Sequence, residues 1–226
     1  MPQKKTASKR GKTTAKPDHR TVLGQERRER TQQRILSAAL GVFAAKGGVA
    51  PVIDDFIKAA GVARGTFYNY YASVEELLTA TIEWLENDLI AAIEHEMEDI
   101  TDPAERFALG VRLWLAKAEN DPVWCAFVAR TETHGERVEQ ALQRDLGDGL
   151  REGLFGFDSV NAARDLAVGA LHEAMRRMTA GPVPKQFTQE VAHLVFRGLG
   201  MSTPRIVAAF NRPLPPLRRP LLAVNP

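Results

Sequence analysis

Between about residue 26 and residue 200 the apolar side chains recur every three or four positions, with no strand-like alternation of useful length. A step of three or four is the period of a helix with one buried face, whereas a half-buried strand needs a step of two. The chain is therefore restricted to an all-α fold. In the first segment Ile35, Ala39, Val42 and Phe43 share a face with Leu36 and Leu40 beside it, over about Glu26 to Lys46, ending at Gly47-Gly48. A short helix is expected over about Val52 to Ala60, stopping at Gly61, and another over about Arg64 to Tyr71. Ser73 and Glu76 form a capping-box pattern ahead of a long helix with the stripe Leu78, Ile82, Leu85, Leu89, Ile93, Met97.

Asp102-Pro103 and Asp121-Pro122 each pair an N-cap with a proline at the first helical position. Further amphipathic segments follow at about 103–119, 122–133, 136–154, 159–180 and 186–200, with a short turn of helix at 204–210, and Gly181-Pro182 separates the last two long ones. Residues 1–24 have almost no large apolar side chains and are expected to be a disordered basic arm. The five prolines within 211–226 predict an extended, peripheral tail. The body then divides into a small unit at 25–72 and a larger one at 73–210.

Charge is unevenly spread along the chain. Residues 1–20 carry seven basic side chains against one acidic, residues 21–71 seven against four, and residues 72–226 sixteen against twenty-three. A basic front on an acidic body suits a module that meets a polyanion, and equally a merely solubilising tail. No run of about 18 apolar residues is present, so a membrane span is not expected. The basic N-terminus lacks an apolar stretch behind it, which argues against a secretory signal. The single cysteine, Cys125, lies in the apolar run Trp124-Cys125-Ala126-Phe127 and reads as a buried, inert thiol. A cytoplasmic protein is the expectation.

The most informative stretch runs from Asp54 to Tyr71 and reads as two short helices around a tight turn at Gly61. Val62 would fill the angle between them. Phe67 and Tyr71, four apart, would face a small core with Phe43, Phe56 and Ile57. That leaves Arg64, Gly65, Thr66, Tyr68, Asn69 and Tyr70 toward the outside, as in the recognition helix of a helix-turn-helix. Arg64, at the helix start, can donate two hydrogen bonds to a guanine edge. The hydroxyls of Thr66, Tyr68 and Tyr70 suit phosphate oxygens, and Asn69 can read adenine or hold backbone. The N–H groups of the first turn add partial positive charge.

The stretch from about Thr31 to Leu78 resembles the TetR family of transcriptional regulators. The features that match are Ile35, Ala38 and Ala39 in the first helix, then Phe43 and Gly47, then Ala60-Gly61-Val62. The run Gly65-Thr66-Phe67-Tyr68-Asn69-Tyr70-Tyr71 follows, and Glu75 and Leu77 open the fourth helix. Three positions depart from the family pattern. Val74 stands where a phosphate-binding lysine is usual, Pro51-Val52-Ile53 lacks the usual threonine cap, and Ile57 replaces a small residue. The resemblance implies an N-terminal three-helix DNA-binding domain, a C-terminal ligand-binding and dimerisation domain, and a homodimer on double-stranded operator DNA.

The back half shows no pattern of a catalytic or metal site. His95 and His172 each adjoin a glutamate and so point to a different helix face, and no nucleophile elbow, P-loop or dinucleotide fingerprint occurs. No enzyme activity, cofactor or metal is expected. Apolar bulk on the helices suggests a small-molecule pocket, with Trp84, Phe107, Val111, Trp114, Trp124, Phe127, Leu150 and Met175 as candidate walls. Through the resemblance, the dimer would form on the last two long helices, with Leu166, Ala170, Val191, Leu194, Val195 and Leu199 at the interface and Gly169 and Gly198 allowing close approach. The alternatives are a regulator without a small-molecule effector and a helical protein–protein adaptor that keeps the helix-turn-helix only as a fold element.

Overall fold

The computed structural model describes residues 19–45, 50–130 and 134–217. Among these, ten helices are arranged in two hydrophobic clusters. The head is built from α1 (His19–Ala45), α2 (Ile53–Ala60) and α3 (Arg64–Tyr68). Helix α4 (Val74–Glu96) leaves the head and becomes part of the body. The body adds α5 (Pro103–Asn120), α6 (Pro122–Val128), α7 (Glu136–Arg151), α8 (Val160–Ala180), α9 (Phe187–Gly198) and α10 (Thr203–Asn211).

The helix starts follow from their caps. Asp102 accepts the Glu105 N–H at 2.9 Å, and Asp121 accepts the Trp124 N–H at 2.9 Å. Ser73 accepts the Glu76 N–H at 3.1 Å, while the Glu76 carboxylate reaches back one residue further, to the Ala72 N–H at 2.6 Å. At α2, where no hydroxyl is available, the Asp55 carboxylate takes the Val52 N–H at 2.8 Å, half of a capping box. Gly61 closes α2 with φ 60° and ψ 41°, the left-handed conformation that glycine adopts without a Cβ penalty. Gly200, with φ 75°, is equally required: a Cβ there would come within 2.6 Å of the Gly156 backbone nitrogen.

Several expectations need correction. α1 begins at His19, so residues 19–24 are helical rather than part of a disordered arm. The Gln25–Arg30 run is rich in good helix formers, which lets the helix extend back toward Pro17. Residues 1–18, Gly47-Gly48 and the end of the tail lie outside the described residues. α3 is assigned only to Tyr68, although helical hydrogen bonds persist to Tyr71, whose N–H donates to the Phe67 carbonyl at 3.1 Å. α6 ends at Val128 rather than near residue 133. Beyond it the chain returns to α4, where buried Glu86 accepts the Gly135 N–H at 2.8 Å.

One cluster runs from the head into the body. It contains Ile35, Phe43, Phe56, Phe67 and Tyr71 together with Leu85, Leu89, Trp124 and Phe127. Its junction is aromatic: the Phe43 ring lies 4.9 Å from Phe56 and 5.5 Å from Phe127 on α6. The second cluster sits among α5, α7, α8, α9 and α10 around Phe107, Leu146, Phe155 and Phe196. After α10 the chain is held to α5, where Arg112 donates to the Arg212 carbonyl at 2.8 Å and also to the Ala209 carbonyl.

Candidate functional site

The outer face of the head follows from its core. Phe56 and Phe67 are fully buried and Tyr71 nearly so, and burial pushes the Tyr71 phenol above its ordinary pKa. With Phe67 and Tyr71 turned inward, Arg64, Gly65, Tyr68 and Asn69 are exposed and Thr66 is half-buried. Arg64 pairs with Asp54 of α2, and both side chains remain more than half exposed. Around Gly65 an added Cβ would meet no atom within 4 Å, so its own fold leaves that spot open to close approach.

Tyr70 departs from the expected outward placement. It is half-buried, its hydroxyl donates to the Arg28 carbonyl at 3.1 Å, and the Arg28 guanidinium lies 5.5 Å over its ring. Tyr70 therefore fastens the segment after α3 to α1, and Tyr68 alone of the two presents its ring outward. Arg27, Arg28, Arg30 and Arg34 on α1 and Lys58 on α2 are exposed as well. The missing lysine is explained locally, since Val74 packs against the core at the first position of α4.

The body holds a partly open cavity of about 80 Å³ between α4, α5, α7 and α8. A single water needs only about 10–15 Å³, so this space admits a small organic molecule. Four of the eight expected wall residues line it: Phe107, Val111, Trp114 and Met175. The other four do not. Trp124 is fully buried behind the wall, its ring 5.3 Å from Trp114. Phe127 is spent on the contact with Phe43, Trp84 is half-buried at the core's edge, and Leu150 is half-buried on α7.

The polar part of the wall has no signature in the sequence, because it is assembled from four separated segments. Arg106 donates to Asp145 at 3.2 Å and to the carbonyls of Met97 and Ile100 at 3.0 and 3.3 Å. Arg144 also donates to Asp145, at 2.9 Å. Glu94 is paired with Arg137 and Arg144 at 3.2 and 3.3 Å. His134 places Nδ1 2.9 Å from the buried Glu86 carboxylate. Burial alone would lower this imidazole, but the hydrogen bond and charge of Glu86, helped by Glu139 and opposed by Arg164, leave it above the ordinary histidine value. The Nε2 atoms of His134 and of His172, both on residues of this cavity wall, are buried without a protein partner.

Cys125 is buried, its Sγ 3.7 Å from the Met175 carbonyl, and burial first, then the Asp121 charge, pushes the thiol up to about 11. Among the described residues there is no cluster of three or more His, Cys, Asp or Glu side chains that could hold a metal ion, and no helix is long and apolar enough to cross a membrane.

On α8 and α9 the expected interface residues divide. Leu166 and Leu194 are 48% and 66% exposed, and Ala170 and Val191 are half-buried. Val195 and Leu199 are corrected: they are buried at 3% and 1% exposure, on the α9 face that Ala192 and Phe196 turn into the protomer's own core. Gly198 lets α8 and α9 approach within the protomer, since a Cβ there would sit 3.1 Å from Leu166 Cδ2, whereas Gly169 faces open space.

A short helix pair with a polar outer face, joined by a long helix to a cavity-bearing helical body, defines a helix-turn-helix protein with a larger helical body behind the head. Residues 35–81 match the family model described as bacterial regulatory proteins of the tetR family, and residues 102–207 match that of the tetracyclin repressor-like C-terminal domain. CymR of Pseudomonas putida, an HTH-type transcriptional regulator, is 30% identical over 181 residues, covering 69% of this chain and 85% of that protein. The chain belongs to the TetR family. An uncharacterised HTH-type regulator of Mycobacterium tuberculosis is 30% identical over 109 residues, 48% of this chain, and the match spans about half (54%) of that relative's length. Among solved structures, RolR in complex with resorcinol superposes with a TM-score of 0.70 at 26% identity, over 85% of this chain and 99% of that one.

Proposed function

We propose that this protein is a transcriptional repressor that binds a palindromic operator as a homodimer and is released by a small molecule held in the cavity between α4, α5, α7 and α8. The observation that carries this reading is the outer face of α3. Arg64, Thr66, Tyr68 and Asn69 stand there, with the exposed Arg28 of α1 against neighbouring Tyr70, on a turn whose glycine conformation suits a helix-turn-helix. The family membership supports the DNA-binding role, and the resorcinol complex of the similar RolR supports a small-molecule role for the cavity. Leu166, Val191 and Leu194 give α8 and α9 an apolar outward face, the kind of surface a two-fold partner covers. One recognition helix reads few base pairs, and pairing doubles the readout.

A gel shift with DNA flanking the protein's own gene tests the reading, with retention expected at nanomolar to micromolar protein and loss in high salt. Equal affinity for unrelated DNA would overturn it. Leu194→Glu should yield a monomer with unchanged helical content and no operator binding. Sedimentation showing wild-type protein monomeric at micromolar concentration would remove the dimer from the reading.

A further inference from the structure

The cavity's charges are already spent on one another. Arg106 is satisfied by Asp145 and two carbonyls, and Glu94 by Arg137 and Arg144. A charged occupant would meet no unpaired carboxylate or guanidinium and would lose its hydration without compensation. The occupant is therefore uncharged. The wall is otherwise apolar and partly aromatic, with Phe107, Trp114 and the Met175 thioether among its surfaces. Trp114 Nε1 donates to Met175 Sδ at 3.4 Å, which holds the indole and thioether as one fixed surface. Such surfaces favour a flat ring, by edge-to-face and sulfur–aromatic contact.

Two groups on this wall still lack partners: the Nε2 atoms of His134 and His172. His134 turns Nδ1 to Glu86, so Nε2 is the nitrogen left for an occupant. A ring nitrogen accepts or donates according to its protonation, and a hydroxyl matches both cases because it does both itself. A ketone or ether would match only one. Leaving buried polar atoms unpaired is unfavourable, so an occupant with hydroxyls at its rim gains over a bare hydrocarbon.

We propose that this cavity binds an uncharged phenol, an aromatic ring with one or more hydroxyl groups, and that those hydroxyls pair with Nε2 of His134 and Nε2 of His172. The proposal rests on the reading of this cavity as the effector site. It also gives the occupant a route to the head. His134 is bonded to Glu86, and Glu86 belongs to α4, the helix separated from α3 by five residues.

Calorimetric titration of the full-length protein without DNA tests the proposal. The probes are phenol, the three benzenediols, toluene, cyclohexanol and benzoate. At least one phenolic probe is expected to bind at least tenfold more tightly than toluene, cyclohexanol or benzoate. His172→Leu should weaken that probe about tenfold or more while leaving toluene unchanged, and His172→Gln should recover part of the loss. His134→Gln keeps a donor for Glu86 and should weaken the same probe at unchanged helical content.

Benzoate or cyclohexanol binding as tightly as the best phenol would overturn the proposal, and so would a His172→Leu loss shared equally by toluene. If no phenol binds a protein that retains its operator, the ligand class is wrong and the repressor reading stands. If phenols bind and show the His172 dependence but no operator is recognised, the ligand class stands and the repressor reading falls.

Discussion

Arg64 with Asp54 in the head, and Arg106 with Asp145 beside the cavity, are chemically the same pair in opposite settings. The first is 60% and 67% exposed, the second 16% and 8%. An exposed pair contributes little and exchanges its partner readily, so Arg64 is free to leave Asp54 for a base edge or phosphate. A buried pair is held by the penalty of separating it. Arg106, with two carbonyls and a carboxylate around it, is part of the wall and not a group waiting for a ligand. The difference teaches that burial, more than residue type, separates an arginine able to change partners from one that supports the wall.

The sharpest way to break this comparison is to remove each acid. Asp145→Ala strands a buried guanidinium and should cost about 3–5 kcal/mol of stability, whereas Asp54→Ala should cost no more than about 0.5 kcal/mol. Denaturant unfolding of both variants checks this, and similar losses would erase the distinction. Next in size, Arg64→Ala should lose about 1–3 kcal/mol of binding at a specific site and relax preference at one base pair. An equal loss on random DNA would place Arg64 on a phosphate.

The tyrosines sharpen the comparison within the head. Tyr70→Phe removes a bond to the Arg28 carbonyl and should lower stability by up to about 1 kcal/mol. Tyr68→Phe should leave stability unchanged while weakening all DNA sequences alike. The reverse pattern would show that the two positions are exchanged in role.

The smallest effect concerns pH and belongs to the cavity side. His134 is raised above the ordinary histidine value by Glu86 and Glu139, against burial and Arg164. Its contribution to stability is therefore complete below the ordinary value of about 6.5 and is lost as pH rises through the raised one. Melting temperature should fall modestly over that window in wild type, and the slope should flatten in His134→Gln.

The head was legible because its information is local. Gly61, Phe67 and Tyr71 are close in sequence, and their spacing alone sorts inside from outside. The inward turn of Tyr70 is not legible locally, because its partner Arg28 is 42 residues away. The cavity was half legible for the same reason. Phe107, Val111 and Trp114 share one helix face, and Met175 stands out by its bulk. Glu86, Asp145, His134 and His172 reach the same region from separate segments, and no spacing in the sequence unites them. Val195 and Leu199 had the right period for an apolar face, but period cannot tell a face covered by the protomer from one left for a partner.

The aromatic residues are also divided between the regions. The chain has three tyrosines, Tyr68, Tyr70 and Tyr71, all in the head, and three tryptophans, Trp84, Trp114 and Trp124, all on α4, α5 and α6. Trp114 forms part of the cavity wall with Trp124 stacked edge-on behind it, whereas Tyr68 stands on the outer face of the head. Indole emission therefore arises from α4, α5 and α6 alone. Selective excitation of indole should therefore report filling of the cavity through Trp114, with no added label.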